Sequence, residues 1–397
     1  MRRLLTCAGA VALALGLAAC GSGTGGSSGA SDKGPITLGF AIGETGFMQP
    51  FDVPAKIAAD FAIQDINAEG GADGRTFKTV TANTKSKAEL SGDAATQVLN
   101  DGADIVVTSC DFDQGSPAAI VAGNQGVLAF STCAASTAFG PTGIGPLAFT
   151  EATAAPAEGA SMAEWAYEKK GIRKAVVLLD DTIEFDKQSA YGFATRFEQL
   201  GGTVQQETFK QGDQSIASQI DAIRSASPQA IYLASYMPGE AAAIKQLRAA
   251  GIDVPILADE DVDGDYWKGG VPNLSDVYYA TYASIYGDDP DPKVNELVNR
   301  YRQKTGKLPD TSAFLTGYAM VQAIAKAVEG AGGSTDGAAL QKQLEGFDNE
   351  QLLLPTTFTP QYHITLKRTL RLMQIQGGKT TYMSEWTPKQ VPVPKGS

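Results

Sequence analysis

From Pro35 onward the apolar residues follow two alternating rhythms. Short runs rich in β-branched and aromatic residues are each followed by a longer stretch with apolar positions three and four apart. Residues 36–42 (ITLGFAI) read as a first strand. Residues 55–68 read as a helix, with Ile57, Ala58, Phe61, Ala62 and Ile66 on one face, and Gly70-Gly71 stops it. Strands are predicted at 77–82, 103–108, 127–131 and 147–150, with helices at 87–100 and 116–124. The rhythm restarts after Ala155. Helices at 158–170, 186–201, 216–225 and 240–250 alternate with strands at 174–179, 204–209, 229–235 and 254–258, and a further strand is predicted at 277–282. Helices at 292–304, 312–329 and 336–345 follow, and 356–383 predicts short antiparallel strands.

Strands alternating with helices of this length pair in parallel and are covered on both faces. Two such series predict two open α/β lobes, and the late helices bring the chain back to the first. Ligands of open α/β sheets bind beyond the carboxyl ends of the strands. Those segments carry polar groups interleaved with rings. They are 44–52 after the first strand, 109–114, 132–137, 180–185, 236–238 and 259–263. Free N–H groups at 109–114 and 132–137 suit a carboxylate, Glu260 suits an ammonium, and the rings suit an apolar group or a cation.

The N-terminus adds location. Arg2 and Arg3 precede an uncharged apolar run from Leu4 to Ala19, too short to span a bilayer comfortably and typical of a secretory signal. Cys20, directly after small residues, resembles the lipid-bearing cysteine of bacterial lipoproteins, which implies cleavage after residue 19 and a diacylglycerol on the Cys20 sulfur. A Gly/Ser tract then forms a flexible tether to residue 34. The expected location is the extracytoplasmic face of the cell membrane. Of the four cysteines, Cys110 and Cys133 remain in an oxidising compartment, each just past a predicted strand. If those strands are parallel neighbours the two can bridge; two buried thiols or one reactive thiol are the alternatives. The net charge of −12, which becomes −14 once Arg2 and Arg3 are removed, argues against nucleic acid.

The stretch from Ala59 to Gly71 (ADFAIQDINAEGG) resembles an element of the leucine/isoleucine/valine-binding proteins, the substrate-binding components of ABC importers. The resemblance continues through 106–117, 126–137, 236–240 and 249–251 and covers the body from Pro35. It implies an α/β fold of periplasmic-binding-protein type I, with two doubly wound parallel-sheet lobes joined by three hinge crossovers near 151–156, 280–284 and 350–356. The expected lobes are 35–151 with 283–352, and 152–282 with 353–397. The resemblance also implies a monomer that presents a small solute to permease subunits, with no cofactor and no metal. Carried over residue by residue, the expected ligand contacts are Phe51, Ser109, Asp111, Phe112, Cys133, Ala134 and Ala135 from the first lobe. Phe185, Tyr236 and Glu260 come from the second. The family's hydroxyl-rich carboxylate loops here contain Cys110-Asp111-Phe112-Asp113 and Cys133-Ala134-Ala135, and a family tyrosine is Phe185. Carboxylates there repel a substrate carboxylate, so an aromatic, amide or cationic compound competes with a branched-chain amino acid as the expected ligand.

Rival readings have less in the sequence. Asp259 to Gly264 matches the first half of a calcium loop, but Gly270 stands where a bidentate Glu is needed. A single histidine, His363, in the late strand region, argues against a Ser-His-Asp triad. Ser109 or Cys133 can be nominated as a nucleophile, but no histidine is near in pattern and no G-x-S-x-G elbow occurs. A carboxylate pair such as Asp111 and Glu260 is the other basis for a hydrolase, with nothing in the sequence to fix its separation. A ligand sensor for an aromatic or other small solute shares the same fold.

Overall fold

The computed structural model describes residues 34–394. The expected signal peptide, Cys20 and the tether up to Lys33 lie outside the described residues. Strands β1 (Ile36–Ile42), β2 (Phe77–Asn83), β3 (Ile105–Thr108), β4 (Ala129–Ser131) and β5 (Ala148–Thr150) form one parallel sheet in the order β2-β1-β3-β4-β5. A second sheet contains β6 (Lys174–Asp180), β7 (Thr203–Phe209), β8 (Ala230–Ala234), β9 (Ile256–Ala258), β10 (Val277–Thr281), β11 (Leu370–Gln376) and β12 (Lys379–Trp386). Its order is β12-β11-β10-β9-β8-β6-β7, parallel except where β11 joins β10 and β12. The interior strand β1 is buried at every position, because helices cover both faces of the sheet; the edge strand β2 is mostly half-buried and the edge strand β7 mostly exposed.

Helices α1 (Gln49–Ala68), α2 (Ala88–Asn100) and α3 (Phe112–Asn124) clothe the first sheet. Helices α4 (Ala155–Glu168), α5 (Glu184–Gln199), α6 (Ala217–Ala226) and α7 (Gly239–Ala249) clothe the second. The late helices α8 (Pro292–Thr305), α9 (Phe314–Gly330) and α10 (Gly337–Leu344) pack on the first sheet's side. Met320, Val321 and Ile324 share a core with Ile36, Leu38 and Phe40. Gly317 lets α9 lie directly on α1: a Cβ there would stand 1.9 Å from the Ala55 carbonyl oxygen.

Helices α1 and α3 begin six and four residues earlier than their apolar spacing predicts. α1 starts at Gln49: Pro50, in the first turn, has no intrahelical N–H bond to lose, whereas Pro54 lies inside the helix and forgoes one. This places Phe51 on a helical turn and not in a loop. α3 starts at Phe112, since the Asp111 carboxylate accepts the Gln114 N–H at 2.9 Å and caps the helix.

The chain passes between the sheets three times, after β5, after β10 and after α10. The third passage runs past residue 353, the expected boundary, before it leaves the first sheet's core. Phe358 lies in the first sheet's core against Phe130, Phe149 and Phe347, at ring distances of 6.1, 5.3 and 6.2 Å. His363 stacks on Phe149 at 3.7 Å. Burying these rings keeps the chain on the first side past residue 358, and the antiparallel pairing expected at 356–383 is found where β11 joins β10 and β12. The passages are laced together. Arg368 pairs with Glu151 at 3.0 Å and donates to the Glu151 carbonyl and to Thr153. Thr356 also donates to Glu151. The Tyr282 hydroxyl accepts the Thr153 N–H at 3.3 Å.

Candidate ligand-binding site

The carboxyl ends of both sheets converge on one cavity, enclosing about 30 Å³. Phe47, Met48 and Phe51 follow β1; Cys110 and Asp111 follow β3; Cys133 and Ala135 follow β4. From the second sheet, Ile183 and Phe185 follow β6, Tyr236 follows β8, and Glu260 and Asp261 follow β9. Opposite walls already meet. The Phe47 and Tyr236 rings lie 5.5 Å apart, and Phe51 meets Tyr266 edge-on at 6.2 Å. Around them Glu184 N–H donates to Asp113 at 2.9 Å, Gln188 donates to Ser136 at 2.8 Å, and Ser312 N–H donates to Asp263 at 2.7 Å. Cys110 and Cys133 form a disulfide that fastens the segment after β3 to the segment after β4.

The electrostatics are one-sided. Among the described residues lining the cavity there is no Lys, Arg or His. Burial, with Asp113 adding repulsion, pushes Asp111 up to about 7. Burial followed by the neighbouring acids raises Glu260 and Asp261 well above the carboxylate range. Behind Asp261 stands Asp186, raised by burial and then by Asp261 itself. Oxygen atoms of Asp186, Asp259 and Asp261 lie within 4.8 Å of one another. Neither Asp186 oxygen, nor Asp261 Oδ2, nor Glu260 Oε2 receives a hydrogen bond, although all are buried. Such groups are costly to bury charged, so they hold protons or await a donor.

One carboxylate is fully satisfied. Asp52, on the first turn of α1, accepts from Gly43 N–H at 2.7 Å, Cys110 N–H at 2.8 Å and Ser109 Oγ at 2.7 Å. Burial nonetheless raises it to about 6. Other donors of these loops are also engaged: Gln114 N–H with Asp111, Ala134 N–H with Ser131, and Thr137 N–H with Gln188. The expectation that 109–114 and 132–137 offer free N–H groups to a ligand carboxylate is therefore corrected at these positions.

Of the expected contacts, Phe51, Asp111, Cys133, Ala135, Phe185, Tyr236 and Glu260 line the cavity. Ser109, Phe112 and Ala134 do not. Ser109 turns its hydroxyl to Asp52, Phe112 packs edge-on against Phe139 at 6.4 Å, and Ala134 belongs to a core with Val106 and Ala118. Phe47, Met48, Ile183 and Asp261 were missed, although each stands in a segment after a strand. The calcium-like segment at 259–264 follows a strand and makes a short 3-10 turn at Glu260–Val262 capped by Asp259, without the preceding helix of a calcium hand. His363 is remote, bonded to Ala148 O and Glu345, and burial lowers its pKa.

A cavity shared by the carboxyl ends of two parallel sheets, with the chain crossing three times beneath it, defines a two-lobed solute-binding protein. More particularly, the chain belongs to the periplasmic binding protein family, whose model matches residues 35–380. It is a binding protein by that membership and not an enzyme. It is 23% identical over 311 residues to a Leu/Ile/Val-binding protein homolog of Brucella melitensis, covering 78% of this chain and 83% of that one. It is 24% identical over 301 residues to a leucine-, isoleucine-, valine-, threonine- and alanine-binding protein of Pseudomonas aeruginosa, covering 75% and 79%. Among solved structures, a leucine-binding protein from Thermotoga maritima superposes with a TM-score of 0.75 at 20% identity, covering 89% and 99%. A solute-binding protein from Rhodopseudomonas palustris, in complex with 3,4-dihydroxybenzoic acid, superposes with a TM-score of 0.73 at 18% identity, covering 90% and 99%. Among the described residues no helix is long and apolar enough to cross a membrane.

Proposed function

We propose that this chain is the extracytoplasmic, lipid-anchored substrate-binding subunit of an ABC importer. It captures a small amino-acid-like or amine- or amide-bearing solute in the cavity and presents the closed form to a permease. The two lobes are residues 35–151 with 283 to about 366, and 152–282 with the rest, moving about the three crossings. Cys20 carries the lipid, and the body acts as a monomer. The observation that carries the reading is Glu260, whose Oε2 is buried in the cavity without a donor. An ammonium supplies that donor. Solute touching both lobes shifts the equilibrium to the closed form by its differential affinity. The named relatives that bind branched-chain amino acids support the class of solute.

The test is a thermal-shift screen of the purified chain against amino acids, amides, alkyl amines, sugars and aromatic acids. A solute at a hundred times its dissociation constant adds about 2.7 kcal/mol. A rise with an amine- or amide-bearing solute is expected, weakened roughly tenfold to a hundredfold by Glu260→Gln. A rise confined to sugars or aromatic acids overturns the reading.

A further inference from the structure

We propose that the solute is a small organic cation that carries no carboxylate, its charged nitrogen held by Glu260 and Asp261 and its carbon atoms enclosed by the cavity's rings. This rests on the reading of the cavity as the solute site. Three independent features of the structure lead to it.

The first is an occupied seat. A ligand carboxylate needs convergent donors, and the convergent donors after β1 and β3 are spent on Asp52, which takes the Gly43 and Cys110 N–H groups and the Ser109 hydroxyl. An anion brought beside them would meet the Asp52 and Asp111 carboxyls instead of free N–H groups. The second is the set of unfilled acceptors. Glu260 and Asp261 line the cavity, and Glu260 Oε2 is buried without a donor although the Tyr282 hydroxyl serves the same carboxyl; the Asp261 carboxyl has only another acid, Asp186, to share a hydrogen bond with. With Asp111 on the facing wall, three carboxyls surround a space that no lysine, arginine or histidine lines. A zwitterion would leave that charge uncompensated, whereas a cation offsets it. The third is the wall itself. Phe47, Phe51, Phe185 and Tyr236 supply rings from both sides of the cavity, and aromatic rings attract cations that have left water. Phe185 also offers no hydroxyl to a ligand oxygen.

Protonated alkyl amines and quaternary ammonium compounds share this chemistry. They differ in whether N–H donors reach the acids, so the assay separates them. The purified full chain is titrated, at constant ionic strength, with butylammonium, putrescine, choline, leucine and calcium as chloride salts. Calorimetry gives affinities, and thermal shift gives a second readout. At least one of the three organic cations is expected to bind about tenfold or more tighter than leucine. Butylammonium or putrescine ahead of choline assigns the affinity to the acids, and the reverse order assigns it to the rings. Asp261→Asn is expected to weaken that cation about tenfold or more, without lowering the melting temperature of the ligand-free chain, since the amide can keep the hydrogen bond to Asp186 while relieving the repulsion between the buried acids. Leucine binding as tightly as the cations overturns this inference and leaves the importer reading intact. Calcium alone binding overturns it by making Asp186, Asp259 and Asp261 a metal site. Silence from all five overturns it too, and a response then found only with sugars or aromatic acids removes the importer's amine reading as well.

Discussion

Buried acids in and around the cavity tie stability to pH. Asp111 faces Asp113 and Asp52 on its own side, and Tyr236 and Asp261 across the cavity. Glu260 faces Asp259, Asp261, Asp263, Glu158 and the Tyr282 hydroxyl; Arg368, which acts on Tyr282, is paired with Glu151. Folded Asp52, Asp111, Glu151 and Asp259, at about 6 to 7, keep protons that the unfolded chain releases near its ordinary carboxylate values. Their contribution to stability is therefore complete below those ordinary values and is lost as pH rises through about 6 to 7. His363, lowered by burial, acts in the opposite sense but is a single group. The ligand-free chain is expected to melt at a higher temperature at pH 5 than at pH 8, measured by calorimetry; equal midpoints would contradict the raised values. The segments that line the cavity were legible because each follows a strand, and Tyr236 and Glu260 were picked out in them, whereas Phe47 and Asp261 stood in the same segments and were not. Asp52 was not, because a carboxylate that serves as an internal ligand looks in sequence like any helix-first-turn acid.

At the scale of elements, the crossings and the disulfide control how the lobes are held. Arg368 and Glu151 form a buried pair whose loss on one side leaves a stranded charge. Arg368→Met is expected to cost about 3–5 kcal/mol in urea unfolding. Adding Glu151→Gln should recover most of that loss, and a double variant as weak as the single one would show that the pair itself is not what matters. The Cys110–Cys133 bond closes a loop of sequence separation 23, worth roughly 3 kcal/mol on the chain-entropy model. Reductant should lower the melting temperature accordingly, and an unchanged midpoint would remove the bond from the stability account. Strand and helix order was readable because each period has its own spacing. The stretch 353–366 was not, because its rings are set by burial against β4 and β5 and not by any repeat: Phe358 and His363 answer to Phe130 and Phe149.

At the scale of the molecule, the alternation of strands and helices was enough to predict parallel sheets, and the repeated series enough to predict two of them. What alternation does not carry is chemistry, which single side chains at the carboxyl ends of the strands decide, Asp52 among them. Asp52 is covalently part of the protein and is held a fixed distance from its donors. It behaves as a competitor that is never diluted, with an effective concentration set by geometry and not by the medium. A carboxylate arriving from solution, however concentrated, contends for those three donors with an occupant that cannot diffuse away.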